Sequence, residues 1–460
     1  MARKRTAPTN TVKTTDDVVS VLADLKEAKS QSAKSLPLSL EGAMEMIRTQ
    51  YGNHALCGMG TFRPPTRPIP TDFYQLDTAV GGGVSRGRHV TIWGPPGVGK
   101  STLALAMTAA YQRCCRVCGS RYRNVTWTKL PDILDPLTGE YYPDYEFHRS
   151  GCRCADGVGV PMRPVWIDME RALDIPWAVQ WGVSPKDLLI FEPEYGEQAV
   201  DMGAMALASG DCDFLVLDSL AAMVPKAAML GSAEDQFIGA QARLLSRMMQ
   251  TWGMYQHSLG PSSRPQPTVV ALSQVRVNIK ATNPNAGYIM TGGKAVEHKQ
   301  DLVIRLSRPE KNAYVKLPND MVVGQTVDFK VEKNRLAPPK RMGQYTLYFV
   351  DDPREDPQFR AGTTDVVAQV LTAATWWGLA TVEGGNFKLP GFDKPKQIKS
   401  LKRYFSENPS EFEALKAAIA DKERQLASGS LLVPPDMLFE DDPVEVDEAA
   451  EAAALVIPME

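Results

Sequence analysis

Between residues 70 and 350, short apolar runs alternate with longer amphipathic stretches. The runs are residues 89–93, 165–167, 188–191, 214–217, 268–272 and 302–306. Such short, nearly unbroken runs predict strands buried on both faces. Strands alternating with helical stretches predict an α/β fold, a doubly wound and mainly parallel sheet. Downstream, residues 363–379 and 396–405 have helical spacing. Ser410-Glu411-Phe412-Glu413 reads as a capping box opening a third helix that runs to residue 426. These helices predict a small C-terminal domain over residues 353–427. Upstream, Ser39 is placed to cap a helix over residues 40–51, ended by Gly52, with an apolar stripe of Leu40, Ala43, Met44, Ile47 and Tyr51. That stripe either packs on the chain's own core or docks on a neighbouring subunit. Residues 1–35 read as a disordered tail with one helical stretch at 15–29, and residues 36–69 as the helix with its linker.

The strand ends carry the chemistry, because ligands in such folds gather at the carboxyl ends of the strands. The run at 89–93 leads into Gly94-Pro95-Pro96-Gly97-Val98-Gly99-Lys100-Ser101, which fits G-x-x-x-x-G-K-[ST] at every fixed position. Thr102 and the apolar residues after it predict a helix. Backbone N–H groups of such a loop turn inward around a polyphosphate, and the helix N-terminus adds partial positive charge. Lys100 is placed to reach β- and γ-phosphates, and Ser101 to bind Mg²⁺. Asp218 ends the run at 214–217 and is the candidate second Mg²⁺ group. Glu170 follows the run at 165–167, beside Asp168, and is placed to orient and deprotonate a water attacking the γ-phosphate, unless it is merely a carboxylate at a helix start. Gln274 follows the run at 268–272, where a polar group would sense that phosphate.

Composition adds limits. The 460 residues suffice for two or three domains. No apolar run approaches the length that spans a bilayer, and the basic start Met1-Ala2-Arg3-Lys4-Arg5 leads into polar residues, so the expectation is a cytoplasmic protein. The seven cysteines are few and odd in number, which argues against a disulfide framework. The net charge is −3, but residues 431–460 hold nine acidic side chains and no Lys or Arg, so the body without them is +6. Charges are screened beyond about 10 Å, so this basic body with an acidic tail, placed at residues 428–460, does not exclude nucleic acid.

These residues, in this order, resemble the RecA family of bacterial and phage recombinases. The resemblance runs through residues 70–110, Ile167-Asp168-Met169-Glu170-Arg171-Ala172-Leu173-Asp174, residues 216–226, Ser273-Gln274-Val275-Arg276, Thr291-Gly292-Gly293-Lys294-Ala295 and Lys333-Asn334-Arg335. It implies a RecA-like core over residues 70–352, a helix over residues 40–51 that polymerises, and a small α+β, DNA-gathering C-terminal domain. It implies MgATP held by Lys100, Ser101 and Asp218, water activated by Glu170, and Gln274 coupling the γ-phosphate to DNA loops. Trp177 takes the adenine-stacking position, with Asp174 nearby. Lys333 and Arg335 match basic residues that reach ATP on the adjacent subunit.

The implied DNA loops are residues 231–243, carrying Ile238, Gln241 and Arg243, and residues 275–291, carrying Arg276, Ile279 and Lys280 before Gly292 and Gly293. Cations and N–H groups would grip phosphates, and the apolar tips Ile238 and Ile279 would wedge between bases, replacing stacking of about 1–3 kcal/mol per base. The segment Val296-Glu297-His298-Lys299 departs from the family by lacking its basic and aromatic interface residues. The implied activity is an ATP-dependent recombinase that filaments on single-stranded DNA and exchanges strands with homologous duplex. A ring helicase would share the loop and Glu170 without needing the helix over residues 40–51. A non-catalytic DNA-organising mediator would not need Lys100, Glu170 and Asp218 intact.

Residues 114–162 lie outside that pattern. They hold Cys114-Cys115-Arg116-Val117-Cys118-Gly119 and, some thirty residues on, His148-Arg149-Ser150-Gly151-Cys152-Arg153-Cys154, which together resemble a zinc ribbon. The expected ligands are Cys115, Cys118, Cys152 and one of His148 or Cys154, with Cys114 spare. Arg113, Arg116, Arg121, Arg123, Lys129, Arg149 and Arg153 make the segment basic, a candidate contact for DNA or a partner. In the C-terminal domain, Lys394, Lys396, Lys399, Lys402 and Arg403 are expected to form one basic stripe that gathers duplex DNA against competition from the acidic tail.

Overall fold

The computed structural model describes residues 39–51, 68–134, 141–230, 239–258, 266–277, 288–290, 296, 298–317, 319–350, 361–427, 434 and 437–438. The chain falls into two units, residues 1–64 and 65–460. Within the first, α1 (Leu40–Tyr51) forms as its spacing predicts. The Gly42 N–H donates to Ser39 Oγ at 3.1 Å, the expected cap. The predicted helix at 15–29 lies outside the described residues.

In chain order the second unit runs α2 (Tyr74–Val80), β1 (His89–Gly94), α3 (Lys100–Gln112), β2 (Asn124–Leu134), β3 (Tyr141–Ser150), β4 (Pro164–Asp168), α4 (Ile175–Gln180), β5 (Leu189–Phe191), α5 (Gly196–Ala208), β6 (Phe214–Asp218) and α6 (Lys226–Leu230). It continues with α7 (Ala240–Ser258), β7 (Thr268–Val277), β8 (Tyr288–Met290), β9 (Leu302–Ser307), β10 (Tyr314–Lys316), β11 (Val322–Asn334), β12 (Met342–Tyr348), α8 (Val366–Trp376), β13 (Thr381–Glu383), β14 (Asn386–Lys388), α9 (Ile398–Glu407) and α10 (Pro409–Ala427). Among the described residues no helix is long and apolar enough to cross a membrane.

The central sheet has the order β10-β11-β9-β1-β7-β6-β4-β5. From β9 through β5 every pairing is parallel, while β10, β11, β12 and β8 join antiparallel. This is the doubly wound sheet the alternation predicts. Side chains point to opposite faces with period two. In β6, Phe214 and Val216 enter one core with Trp166, Ile92 and Leu272, while Leu215 and Leu217 enter the other with Val165, Ile167 and Val269. Helix α3 lines the first core; α5 and α7 supply Val200, Leu245, Met248 and Trp252 to the second. The Trp252 indole N–H donates to the Val200 carbonyl at 2.9 Å, tying α7 to α5.

Three expectations are corrected. First, the segment 114–162, in which β2 and β3 form a long antiparallel hairpin, is not a uniformly basic surface. The hairpin's side chains are mostly exposed or half-buried, so no burial pattern announced it. Five of the segment's seven candidate cations are held in ion pairs. Arg113 and Arg121 meet Asp72 at 2.6 and 2.9 Å, Arg116 meets Asp211 and Asp213 at 2.6 and 3.0 Å, Lys129 meets Asp132 at 3.3 Å and Arg149 meets Asp187 at 2.8 Å. Most of these pairs stitch the insertion to the sheet's flanks.

Second, the C-terminal basic stripe is broken. Lys402 is buried and pairs with Asp365 at 2.6 Å, while Lys396 lies over the rings of Phe392 and Tyr404. The capping box does not form either. Helix α10 begins at Pro409, ahead of Ser410, and Glu413 pairs with Lys416. Proline fits a first helical turn, where its missing N–H is no loss. Third, residues placed in the acidic tail belong to the body. Met437 is fully buried in the C-terminal cluster and Leu438 bridges Arg341.

Candidate nucleotide site and subunit edge

The parallel register lines the candidate residues along one edge. Gly94 pairs with Gln274 across β1 and β7, and Asp168 with Asp218 across β4 and β6. Neighbouring strands lie about 4.8 Å apart, so residues distant in sequence become neighbours there. Gly94, Gly97 and Gly99 have φ of 158°, 67° and 97°, values that favour glycine and curl the loop at the head of α3. A side chain at Gly94 would meet the Leu306 carbonyl at 2.4 Å. Lys100 Nζ donates to the carbonyls of Gly94 at 3.0 Å and Pro95 at 2.9 Å. Burial lowers its pKa.

Ser101 Oγ donates to Asp218 Oδ2 at 2.9 Å. The Asp218 carboxyl is pushed up to about 6, first by burial and then by the negative charges of Glu170 and Asp168. Ser101 and Asp218 thus face each other at a helix start, within the field of Glu170 and Asp168. That donor set fits Mg²⁺, a hard cation held by oxygen ligands. Because the neutral acid is a poor ligand, the apparent Mg²⁺ affinity should fall as pH drops through about 6. Titrating Mg²⁺-dependent nucleotide binding at pH 5.5 and 7.5 would check this; equal affinities would refute it.

Glu170 is not at a helix start. The chain after β4 turns tightly, with Arg171 at φ 52°, before α4 opens at Ile175. Asp168 builds that turn, its carboxylate accepting from the N–H groups of Glu170, Ala172 and Leu173 at 3.0–3.1 Å. Glu170 Oε1 accepts from Ser219 Oγ at 2.5 Å and Gln274 Nε2 at 3.1 Å. Asp174 caps α4 by accepting from the Trp177 N–H at 3.0 Å. The half-buried Trp177 directs its indole N–H toward Thr102 Oγ1 at 3.4 Å and meets Trp181 edge-on.

Two contributors escaped the sequence reading. Arg308, just past β9, donates to the carbonyls of Pro96 at 3.2 Å and Gly97 at 2.8 Å, adding a cation over the loop. Its only signal is its place at the carboxyl end of the strand beside β1. Ser219 shares that signal at the end of β6, but its role depends on β6 lying next to β4.

Lys333 and Arg335 are not part of this assembly. Strand β11 runs antiparallel to β9, so Asn334 pairs with Leu302 at the opposite edge of the sheet. There Arg335 contacts Asp301 Oδ1 at 3.1 Å and the His298 carbonyl at 3.0 Å, and Lys333 reaches that carbonyl at 3.4 Å. The length of β9, about 17 Å at 3.3 Å per residue, separates them from the loop.

Of the DNA-loop candidates, Ile238, Ile279, Lys280, Gly292 and Gly293 lie outside the described residues. Arg276 lies in β7, which continues to Val277 and pairs with β8, so the expected loop begins three residues later, after Val277. Arg243 stands exposed on α7. Gln241 is also helical and donates to the Leu220 and Ala221 carbonyls at 3.3 and 3.1 Å, so it anchors α7 rather than hanging in a loop.

The family model for the RecA N-terminal domain matches residues 38–120 and 159–352. The chain belongs to the RecA family. Protein RecA 2 of Myxococcus xanthus is 31% identical over 319 residues, 68% of this chain and 72% of that protein. Protein RecA of Thermus thermophilus is 30% identical over 397 residues, 85% of this chain and 96% of that protein. Protein RecA of Caldanaerobacter subterraneus is 28% identical over 408 residues, 87% of this chain and 98% of that protein. Between the two matched segments of this RecA-family chain, the family model passes over residues 121–158.

Proposed function

We propose that this protein is a DNA-dependent ATPase that polymerises on single-stranded DNA, aligns it with homologous duplex and exchanges strands. The observation that carries this reading is the split of catalytic groups between two edges of one sheet. The loop, Ser101, Asp218, Glu170 and Gln274 share the carboxyl edge, whereas Lys333 and Arg335 sit at the other. A second copy stacked edge to edge completes the pocket, which couples turnover to assembly. Lys100 and the loop N–H groups bind the triphosphate and Trp177 orients the base. Mg²⁺, held by Ser101 and Asp218, supplies charge neutralisation on the phosphate oxygens when bound. Glu170 takes the proton of the attacking water, and Gln274, bonded to Glu170, links that group to the segment after β7.

The test is strand exchange between a single-stranded circle and a homologous linear duplex with MgATP, alongside electron microscopy. Joint molecules and open helical filaments are expected. Closed hexamers without joint molecules would point to a ring helicase, and absence of DNA-stimulated hydrolysis to a mediator.

The C-terminal tail gives a further prediction. Removing residues 431–460 would take away Met437 and its core contacts, so the informative truncation removes residues 441–460. That deletes seven carboxylates. Duplex affinity should rise by about an order of magnitude at low salt, with the gain shrinking as salt screens the tail. Fluorescence anisotropy across a salt series would show it; unchanged affinity at every concentration would refute it.

A further inference from the structure

Between Cys115 and Pro161 the chain has almost no core of its own. Among the described residues of that stretch, Cys115 and Tyr122 are the buried apolar ones, and Trp127 on the hairpin is half exposed. A segment this open needs a staple. Its two ends supply one. The sulfurs of Cys115, Cys118, Cys152 and Cys154 all lie within 4.8 Å of one another, and Cys115 and Cys154 are 3.5 Å apart. No disulfide joins them.

We propose that these four cysteines bind one Zn²⁺ as a tetrathiolate centre that fastens the β2–β3 hairpin to the far end of α3. Zinc–sulfur bonds of about 2.3 Å in a tetrahedron set sulfurs about 3.8 Å apart, so the cluster is within a small contraction of that geometry. The ligands come as two knuckles, C-x-x-C and C-x-C, each closed by its own backbone bonds. Gly119 N–H donates to the Cys115 carbonyl at 2.8 Å, and Gly151 N–H to the Gly157 carbonyl at 2.8 Å. The Cys154 N–H faces Cys152 Sγ at 3.4 Å. Gly159 lies against the group: a Cβ there would sit 2.6 Å from Cys115 Sγ and 2.8 Å from Cys152 Sγ.

His148 is not among the four clustered groups. It is held in the hairpin opposite Thr126, with Nε2 3.6 Å from Glu146. Cys114 turns away to the Ala110 carbonyl. Four soft thiolates in a tetrahedron select zinc or iron over oxygen-loving cations, and an isolated structural site of this kind is closed to substrate. The centre lies a whole helix, about 20 Å, from the phosphate loop, so it acts on the insertion and not on the nucleotide. The assignment stands independently of the recombinase reading.

The full-length protein, purified in reductant and dialysed, should contain one zinc per chain by elemental analysis. Cobalt loading should give the visible bands of a tetrathiolate site. Cys118→Ser and Cys154→Ser should each lose most of the zinc and those bands, whereas His148→Ala and Cys212→Ser should keep both. Should the cysteine variants fail to fold, chelation of the wild-type protein replaces them: stripping zinc should open the stretch 121–158 to limited proteolysis while the core fragments persist. Zinc near zero in reduced, undegraded protein, iron in its place, full zinc in Cys154→Ser, or a proteolysis pattern indifferent to chelation would each overturn the proposal.

Discussion

Replacing Glu170 with Gln should reduce ATP turnover by about 10²–10⁴-fold, the contribution of a positioned general base, while nucleotide binding survives. The expectation follows from how the side chain is held. Asp168 fixes the turn through three backbone N–H groups. Ser219 and Gln274 both bond Oε1, so among the described residues Oε2 is the oxygen left to face an attacking water. Glutamine has the same shape and retains an acceptor for Ser219 but cannot take a proton. Lys100, Ser101 and Asp218 are untouched, so ATP should still bind and filaments on single-stranded DNA should form and outlast those of the wild type. Steady-state hydrolysis, nucleotide-binding titration and filament lifetime would be measured together. Turnover within a few-fold of wild type would remove Glu170 from the mechanism; loss of ATP binding would make its role structural.

The sequence was most informative where local chemistry and strand order coincide. The loop, Asp218, Glu170 and Gln274 each follow an apolar run, and a parallel sheet brings such ends together whatever the details of its helices. Ser39 was legible because a cap is a three-residue event. What failed depended on longer-range facts. Lys402 looked like its neighbours in a basic stripe until Asp365, from the preceding helix start, drew it inward. Arg113, Arg116, Arg121 and Arg149 read as part of a surface for DNA, but Asp72, Asp187, Asp211 and Asp213 lie opposite them. The choice between His148 and Cys154 could not be made from spacing, since a hairpin of unknown register separates the knuckles; the gathering of the Cys154 sulfur with those of Cys115, Cys118 and Cys152, without His148, favours Cys154. Met437 gave no sign of leaving an acidic, low-complexity stretch to fill the C-terminal core.

The double variant Lys333→Ala, Arg335→Ala should lose about 10³–10⁵ in DNA-stimulated turnover, the scale of an arginine finger, although neither residue is near its own chain's loop. The sheet geometry makes the cause separable. If these cations act on the nucleotide of a neighbouring copy, the variant still owns an intact pocket, and a Lys100→Ala chain still owns intact cations. Each alone should be inactive. Mixed in equal amounts before DNA is added, random assembly joins an intact pocket to intact cations at about a quarter of the interfaces, so activity should return to roughly that fraction of wild type. A merely structural role for Arg335, through its bond to Asp301, would leave the mixture as inactive as its parts, because a damaged strand end cannot be repaired by another chain. Recovery on mixing therefore tests in one measurement both the residues and the edge-to-edge assembly, and a mixture no more active than its better component would rule out the shared pocket.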